Sequence, residues 1–300
     1  MMEYRTLKYF LTVAHEGNIT RASEILHLSQ PALSRALIQL EDELGTTLFI
    51  RGRRHVTLTD AGLLFRRRAQ EILDLTEKTE NEFKHNPLAV SGVISIGSGE
   101  AETMRRLAGA MRVFSERYPD VKFNLYSNNA DFIRERLDKG LLDIGILIEP
   151  SDLSKYEFIR LKDKERYGAI VPCSSPLAEK EYLTAQDLVG YKIFTSARDS
   201  VLGVSAWFGD VYDKLDIYVT FNLIYNAAML VDCGLGAALT IEGAVSLYKN
   251  PNIVFKPFYP EFTASSVLVW KKYQPASAAV MKFLDFIKGS LSDAETCDSK

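Results

Sequence analysis

The sequence predicts an α + α/β multidomain protein, a helical head joined by one long helix to an α/β body. Three observations predict it. The chain has 300 residues, more than one ordinary domain requires. Its apolar periodicity is helical up to about residue 84 except for one short hairpin after Gly45, and from Gly92 it changes to short apolar runs alternating with amphipathic stretches. Its charge is uneven: the formal net charge is −3, yet Thr47–Arg68 holds six arginines against Asp60 alone, a local +5. That pattern reads as a basic end on an acidic body. At 47% hydrophobic and 25% charged, the composition is that of an ordinary globular protein.

In the head, Leu7, Phe10, Leu11 and Ala14 make one apolar stripe that ends at Gly17. Asn18 or Thr20 caps a second helix that turns Ala22, Ile25 and Leu26 inward. After Leu28-Ser29-Gln30, Pro31 opens a third helix, in the turn where a missing N–H is harmless, with Ser29 as its cap. Leu33, Ala36, Leu37, Leu40 and Leu44 form the apolar face of that helix. TTLFIRGRRHVTLT then places two short apolar runs around Arg-Gly-Arg-Arg, a hairpin with a basic tip. Thr59-Asp60 caps a long helix from Ala61 to about Lys84, on which Phe65, Ala69, Ile72, Thr76, Thr79 and Phe83 fall at coiled-coil spacing. His85-Asn86-Pro87 ends it, and LAVSG is a short linker.

A helix, a short turn and a second helix with a polar leading half form a helix-turn-helix arrangement. On the third helix Pro31, Arg35 and Ile38 lie opposite the leucine stripe, flanked by Ser34 and Gln39. Arginine forks onto guanine, Gln30 or Gln39 onto adenine, and Ile38 meets a thymine methyl, while Ser34 suits base or phosphate. Glu41, Asp42 and Glu43 cannot lie along phosphates. The helix is therefore expected to enter the major groove by its N-terminus, with its acidic end turned back toward the protein. Arg51, Arg53 and Arg54 on the hairpin then reach the adjacent minor groove or backbone.

In the body, strands are expected at Val93–Ile96, Val121–Tyr126, Leu142–Ile148, Arg166–Val171, Lys192–Thr195, Ile217–Phe221, Gly236–Thr240 and Ser266–Trp270. Helices are expected up to Arg117, over Ile133–Lys139, around Leu202–Leu215, over Leu223–Cys233 and over Ser277–Leu291. The alternation implies a mostly parallel sheet covered by helices.

ASEILHLSQPALSRALIQLEDELGTTLFIRGRRHVTLTDAG, Ala22–Gly62, closely resembles the winged helix-turn-helix signature of LysR-type transcriptional regulators. The SQPALSR core, the LEDELG end, the LF-x-R-x-x-R wing and the LT-x-AG entry to the long helix match in order, and the remaining layout fits the family over nearly the whole chain. The resemblance implies an N-terminal winged helix-turn-helix over 1–60 and a linker and dimerisation helix with hinge over 61–91. It further implies a two-lobed, periplasmic-binding-protein-like α/β effector domain over 92–300, with lobe I at about 92–161 and 266–292 and lobe II at about 162–265. By that resemblance Ser29, Gln30, Pro31, Ser34 and Arg35 carry DNA contact, with Arg51, Arg53 and Arg54 on the wing. It implies a sequence-specific DNA-binding regulator of transcription, not an enzyme. A dimer, or a tetramer as a pair of dimers, reads a promoter inverted repeat under control of a small-molecule effector, with no cofactor.

In open parallel sheets, ligands sit beyond the carboxyl ends of the strands. GSGEAET, Gly97–Thr103, follows the first body strand and opens a helix, so Ser98, Gly99 and Glu100 are effector candidates. A glycine-rich turn there can cradle an anion, or Glu100 and Glu102 can simply complement the helix dipole. Relatives often show hydroxyl residues in this loop. The acidic residues here point instead to a ligand carrying an amine or hydroxyls, paired by Glu100. Asn128 and Asn129, Thr195 and Ser196, and Asn222, Tyr225 and Asn226 follow other strands and are further candidates, each of which serves equally well as a cap or turn residue.

Other classes are disfavoured. The N-terminus has periodic rather than continuous apolar residues, unlike a signal peptide, and no stretch approaches the ~20 apolar residues of a membrane span. A cytoplasmic protein that does not bind membranes is expected, and an exported solute-binding protein is not. All four histidines, at 15, 27, 55 and 85, precede the α/β body, and HExxH, GxSxG and P-loop patterns are absent. Cys173, Cys233 and Cys297 form no CxxC or Cys/His cluster, so neither zinc nor a disulfide framework is supported, and two of the thiols are expected in the core with the third on a tail.

Overall fold

Glycine and asparagine punctuate the head of this computed structural model, which describes residues 3–52, 55–84, 90–197, 203–246 and 250–290. The chain forms two units, residues 1–84 and 85–300. In the first, α1 (Tyr4–Glu16) stops at Gly17, whose φ of +60° suits a residue without a Cβ. Asn18 caps α2 (Ile19–Ile25), its side chain accepting the Arg21 N–H. A short turn, with His27 in the left-handed region, leads to α3 (Gln30–Leu44). The wing is β1 (Phe49–Arg51) paired antiparallel with β2 (Val56–Leu58), and α4 (Asp60–Lys84) follows. Thr59 starts α4 well: its Oγ1 accepts the Gly62 N–H at 2.9 Å and donates to the Thr47 carbonyl at 2.7 Å.

The leucine stripe closes the head. Leu33, Leu37 and Leu40 of α3 pack with Leu7, Phe10 and Val13 of α1, with Leu48 and Phe49 of the wing, and with Phe65 and Ala69 of α4. Phe10 stacks edge-on to Phe65 at 4.7 Å between ring centroids. Two members of the expected coiled-coil seam, Phe65 and Ala69, therefore serve the head's own core. Among the described side chains of α4, the large apolar ones turned outward are Leu63, Leu64, Ile72 and Leu75.

The second unit is one curled sheet in two halves. In the first half β3 (Gly92–Ser98) runs parallel to β4 (Val121–Ser127) and to β5 (Ile144–Ile148). Helices α5 (Thr103–Arg117) and α6 (Ala130–Asp138) connect these strands. The long β6 (Tyr156–Pro172) then passes into the second half. There β7 (Lys192–Ser196) runs parallel to β8 (Asp216–Phe221) and to β9 (Ala237–Ile241), with α7 (Val204–Phe208) and α8 (Ile224–Asp232) between them. After α9 (Glu242–Val245), β10 (Ile253–Pro257) pairs antiparallel with the end of β6. The chain returns by β11 (Thr263–Lys271), antiparallel to both β6 and β5, and closes with α10 (Ala278–Ser290).

The sheet is mixed rather than mostly parallel. Each half is parallel at its centre, but β6 and β11 cross between the halves, and crossing strands pair antiparallel. One core packs Ile94, Ile96, Leu107, Phe114, Leu268 and Phe283, and another packs Tyr167, Val171, Ile193, Phe208 and Leu239. The region expected as one helix around Leu202–Leu215 is broken at Gly209 (φ +54°) into α7 and a 3-10 turn.

The cysteines depart from expectation. Cys173 and Cys233 are free and exposed rather than in a core. Each stands just past the end of an element, Cys173 after β6 and Cys233 at the C-cap of α8, where side chains leave the packed layer. Cys297 lies outside the described residues.

Candidate DNA-reading face and effector cleft

Helical geometry divides α3 into an inward leucine face and an outward face. Pro31, Arg35 and Ile38 are exposed, as are Ser29 and Gln30 just before them, and Ser34 is half-buried. The Ser29 hydroxyl makes no cap hydrogen bond, although the residue stands at the N-cap position. Arg35 lies back along its helix, its Nε donating to the Pro31 carbonyl at 3.3 Å. Gln39 sits on the flank: its amide donates to Glu43 at 3.2 Å, and it lines a groove of about 200 Å³ with Glu3, Arg5 and Tyr9.

Of the three acidic residues at the far end of α3, one turns inward. Glu41 Oε1 accepts the backbone N–H groups of Leu48 (2.8 Å) and Phe49 (3.0 Å), and its Oε2 takes Arg51 Nη2 at 2.7 Å. It ties the third helix to the first wing strand. Asp42 and Glu43 remain exposed, so the expectation that the whole acidic end faces the protein needs correction. Asp42 falls two turns after Arg35 on the same face, which leaves only the leading half of that face free of acid. Of the wing arginines, Arg51 is thus paired with a carboxylate, and Arg53 and Arg54 lie outside the described residues.

Between the halves of the second unit lies a cavity of about 120 Å³. One half gives it Gly99, Glu100, Ala101, Asn129, Ile146 and Ile148, from the C-terminal ends of β3 and β5 and the start of α6. The other gives Tyr167, Ser196, Phe221, Asn222, Leu239, Thr240 and Ile241. A second cavity of about 740 Å³ shares Gly99, Glu100 and Ala101 and is lined beyond them by Met104, Tyr225, Met229 and Asp232.

Two carboxylates cross between the halves here. Glu100 Oε2 accepts the Ile224 N–H at 2.6 Å, on the first residue of α8. Glu165, on β6 and only 4% exposed, accepts the Thr103 N–H at 3.4 Å, on the first residue of α5. Burial pushes the pKa of both carboxyls up, and the backbone donors hold it down in part. The glycine-rich turn thus ends in a helix start that already faces an anion of the chain itself.

The expected effector residues are distributed unevenly around the cleft. Gly99, Glu100, Asn129, Ser196 and Asn222 line the inner cavity, and Tyr225 lines only the larger one. Ser98, Asn128, Thr195 and Asn226 line neither. The Ser98 hydroxyl donates to the Gly99 carbonyl, Asn128 bonds Tyr126 and the Asn129 amide, and Thr195 is buried within β7. Asn129 caps α6 through the amides of Asp131 and Phe132. Among the described residues no group of three or more His, Cys, Asp or Glu could hold a metal ion.

This architecture is matched at both ends of the chain. Residues 4–63 match the bacterial regulatory helix-turn-helix protein of the lysR family, and residues 89–292 match the LysR substrate binding domain. The chain belongs to the LysR family of transcriptional regulators. It is 32% identical over 279 residues to the Hca operon transcriptional activator HcaR of Escherichia coli (strain K12), covering 90% of this chain and 92% of that protein. It is 26% identical over 298 residues to the HTH-type transcriptional regulator YybE of Bacillus subtilis (strain 168), covering 97% and 100%. Full-length CbnR complexed with its target DNA superposes with a TM-score of 0.73 at 23% identity, over 96% of this chain and 100% of that one. CbnR alone also gives 0.73, at 22% identity over 97% and 99%. Like these relatives, this LysR protein is a DNA-binding regulator of transcription with an effector-binding domain, and not an enzyme. Among the described residues no helix is long and apolar enough to cross a membrane.

Sequence reasoning missed Glu41 as the tie to the wing, and Tyr167, Leu239, Thr240 and Glu165 around the cleft. The first was legible only as charge. The cleft residues lie on strands whose pattern shows burial but not what they face.

Proposed function

We propose that the leading half of α3 reads promoter DNA in the major groove. Residues 1–60 then act as the reading head, 61–91 as the linker and dimerisation segment, and 92–300 as the sensor. The supporting observation is the exposed, acid-free face of Ser29, Gln30, Pro31, Arg35 and Ile38, with the wing fastened to the far end of the same helix by Glu41. Arg35 is free to swing from the Pro31 carbonyl onto a guanine edge. Ser34 and Gln39 flank that contact, and Arg51, Arg53 and Arg54 supply wing cations toward the backbone or minor groove. CbnR has been seen on its target DNA, which supports the same use of this head.

The outward residues Leu64, Ile72 and Leu75 of α4 suit a dimer that reads two half-sites of an inverted repeat, with dimers pairing into tetramers. A small-molecule effector enters between lobes of about 92–161 with 266–292 and about 162–265, in the cleft lined by Gly99, Glu100, Asn129, Ser196 and Asn222. It acts by binding one arrangement of the lobes more tightly than another, which changes how the heads are spaced on DNA. The protein works in the cytoplasm. Footprinting on the DNA upstream of its own coding sequence tests the reading. Protection of an inverted repeat is expected, and Arg35→Ala costs about 1–3 kcal/mol on that site while relaxing base preference. Equal losses on cognate and random DNA exclude base reading by Arg35.

A further inference from the structure

Among the described residues, the charge lining the cleft is of one sign. Of the described residues lining the inner cavity, Glu100 is the one with an ionisable acid or base group other than the Tyr167 phenol, and the larger cavity adds Asp232 and the Tyr225 phenol. Among the described residues no lysine, arginine or histidine lines either. An anion can also be held without a cation, by the free N–H groups of a helix start. Here each of the three helix starts already gives one or two of those donors to a side chain of the chain itself. The start of α8 gives its Ile224 N–H to Glu100, the start of α5 gives its Thr103 N–H to Glu165, and the start of α6 gives the Asp131 and Phe132 N–H groups to Asn129. The rest of the inner wall is largely apolar: Ile146, Ile148, Tyr167, Phe221, Leu239 and Ile241.

From this lining we infer that the cleft takes a cationic ligand, a primary amine on an apolar or aromatic body, with Glu100 as the partner of the ammonium. This rests on the reading of the inter-lobe cleft as the effector site. The Ile224 N–H fixes the Glu100 carboxylate by one oxygen and leaves the other for the ligand. The apolar body fills the hydrophobic wall, and Ser196, Asn222 and Thr240 offer acceptors for the remaining ammonium protons. A carboxylate ligand meets the opposite situation, a like charge in the lining and helix starts that already hold acceptors of the chain itself. Burial raises the Glu100 pKa, and an ammonium in contact favours its charged form, so ligand and carboxylate stabilise each other's ionisation.

The test uses the full chain and matched pairs of probes that differ only in the charged end: butylamine with valerate, phenethylamine with hydrocinnamate, and 2-(naphthyl)ethylamine with 3-(naphthyl)propionate. Isothermal calorimetry and thermal shift are read for wild type, Glu100→Gln and Asn222→Trp. Gln keeps an oxygen for the Ile224 N–H, so the Glu100→Gln fold is preserved, and Asn222 is exposed at the cavity wall, so Trp there blocks the cleft without entering a core. At least one amine is expected to bind more tightly than its carboxylate twin. Its affinity should fall by about tenfold or more in Glu100→Gln, where an ion pair becomes a hydrogen bond from the ammonium to a neutral amide, and it should be lost in Asn222→Trp. The inference is overturned if no amine binds, if the amine is indifferent to Glu100→Gln, or if it still binds Asn222→Trp. A carboxylate that binds wild type and is lost in Asn222→Trp overturns the amine class while sparing the cleft as effector site.

Discussion

Glu41 on α3 and Arg51 on the wing meet at 2.7 Å, and the same carboxylate accepts the N–H groups of Leu48 and Phe49. One side chain therefore sets the position of the wing against α3. The two contacts differ in weight. An ion pair to a partly exposed arginine contributes about 0–1 kcal/mol. Leaving two partly buried amides without their acceptor costs about 1–3 kcal/mol. Glu41→Ala is expected to lower the thermal midpoint of the head clearly more than Arg51→Ala, and to weaken DNA binding with it. Equal midpoints for the two variants would show that the amide contacts carry no weight.

That pairing also bears on the proposed DNA contacts of the wing arginines. The Arg51 charge is already offset by Glu41. Arg53 belongs to the basic run of the wing tip and is proposed to touch phosphate. Each phosphate contact adds about one to the slope of log affinity against log salt. Arg53→Ala is expected to flatten that slope by about 1, and Arg51→Ala by less. Titration from low to physiological salt decides it, and an unaltered slope in Arg53→Ala rules out phosphate contact.

Gly62 sets two opposed effects against each other. In the first turns of α4, alanine would ordinarily gain about 1 kcal/mol over glycine from helix propensity. A Cβ at this position, however, stands 2.1 Å from the Leu48 carbonyl oxygen, which is backbone and cannot rotate away. The helix and the wing must separate to admit it. The clash wins, and Gly62→Ala destabilises the head by about 1–3 kcal/mol, as overpacking does. Chemical denaturation measures this, and a gain in stability would mean that the close approach is not kept in solution.

Much of the head is legible in the sequence because its signals are local. Gly17, Asn18, Pro31, Gly45 and Thr59 each start or stop an element through groups a few residues away. The curled sheet is less legible. The first part of β6 escaped because Lys162, Asp163, Lys164 and Glu165 interrupt its apolar pattern where the strand passes between the halves. Its pairing with β11 joins residues about a hundred positions apart, which no local periodicity records. For the same reason Glu100 read as a loop acid beside its own helix, whereas its hydrogen-bond partner is Ile224.

Glu165 yields a pH dependence. It is nearly buried, has no ion pair among the described residues, and is held by the amides of Thr103 and Glu102. Gly243 at α9 closes over it, for a Cβ there would stand 2.5 Å from Oε2. Burial raises its pKa above the ordinary carboxylate value. As pH rises, the unfolded chain releases this proton first, so the native state binds more protons across the interval. Stability must then fall from the ordinary carboxylate range up through the raised pKa and level off above it. Glu165→Gln has no such proton to lose, and its amide oxygen still accepts the Thr103 N–H. Glu100 titrates in the same direction but is common to both proteins, so the difference between them isolates Glu165. Thermal midpoints between about pH 5 and pH 8 should diverge as pH rises, with Glu165→Gln the more stable at the upper end, by about 2–4 °C for each 1 kcal/mol relieved. A gap that stays constant, or closes as pH rises, would mean that the native carboxyl is already ionised at pH 5 and that the two helix-start amides outweigh its burial.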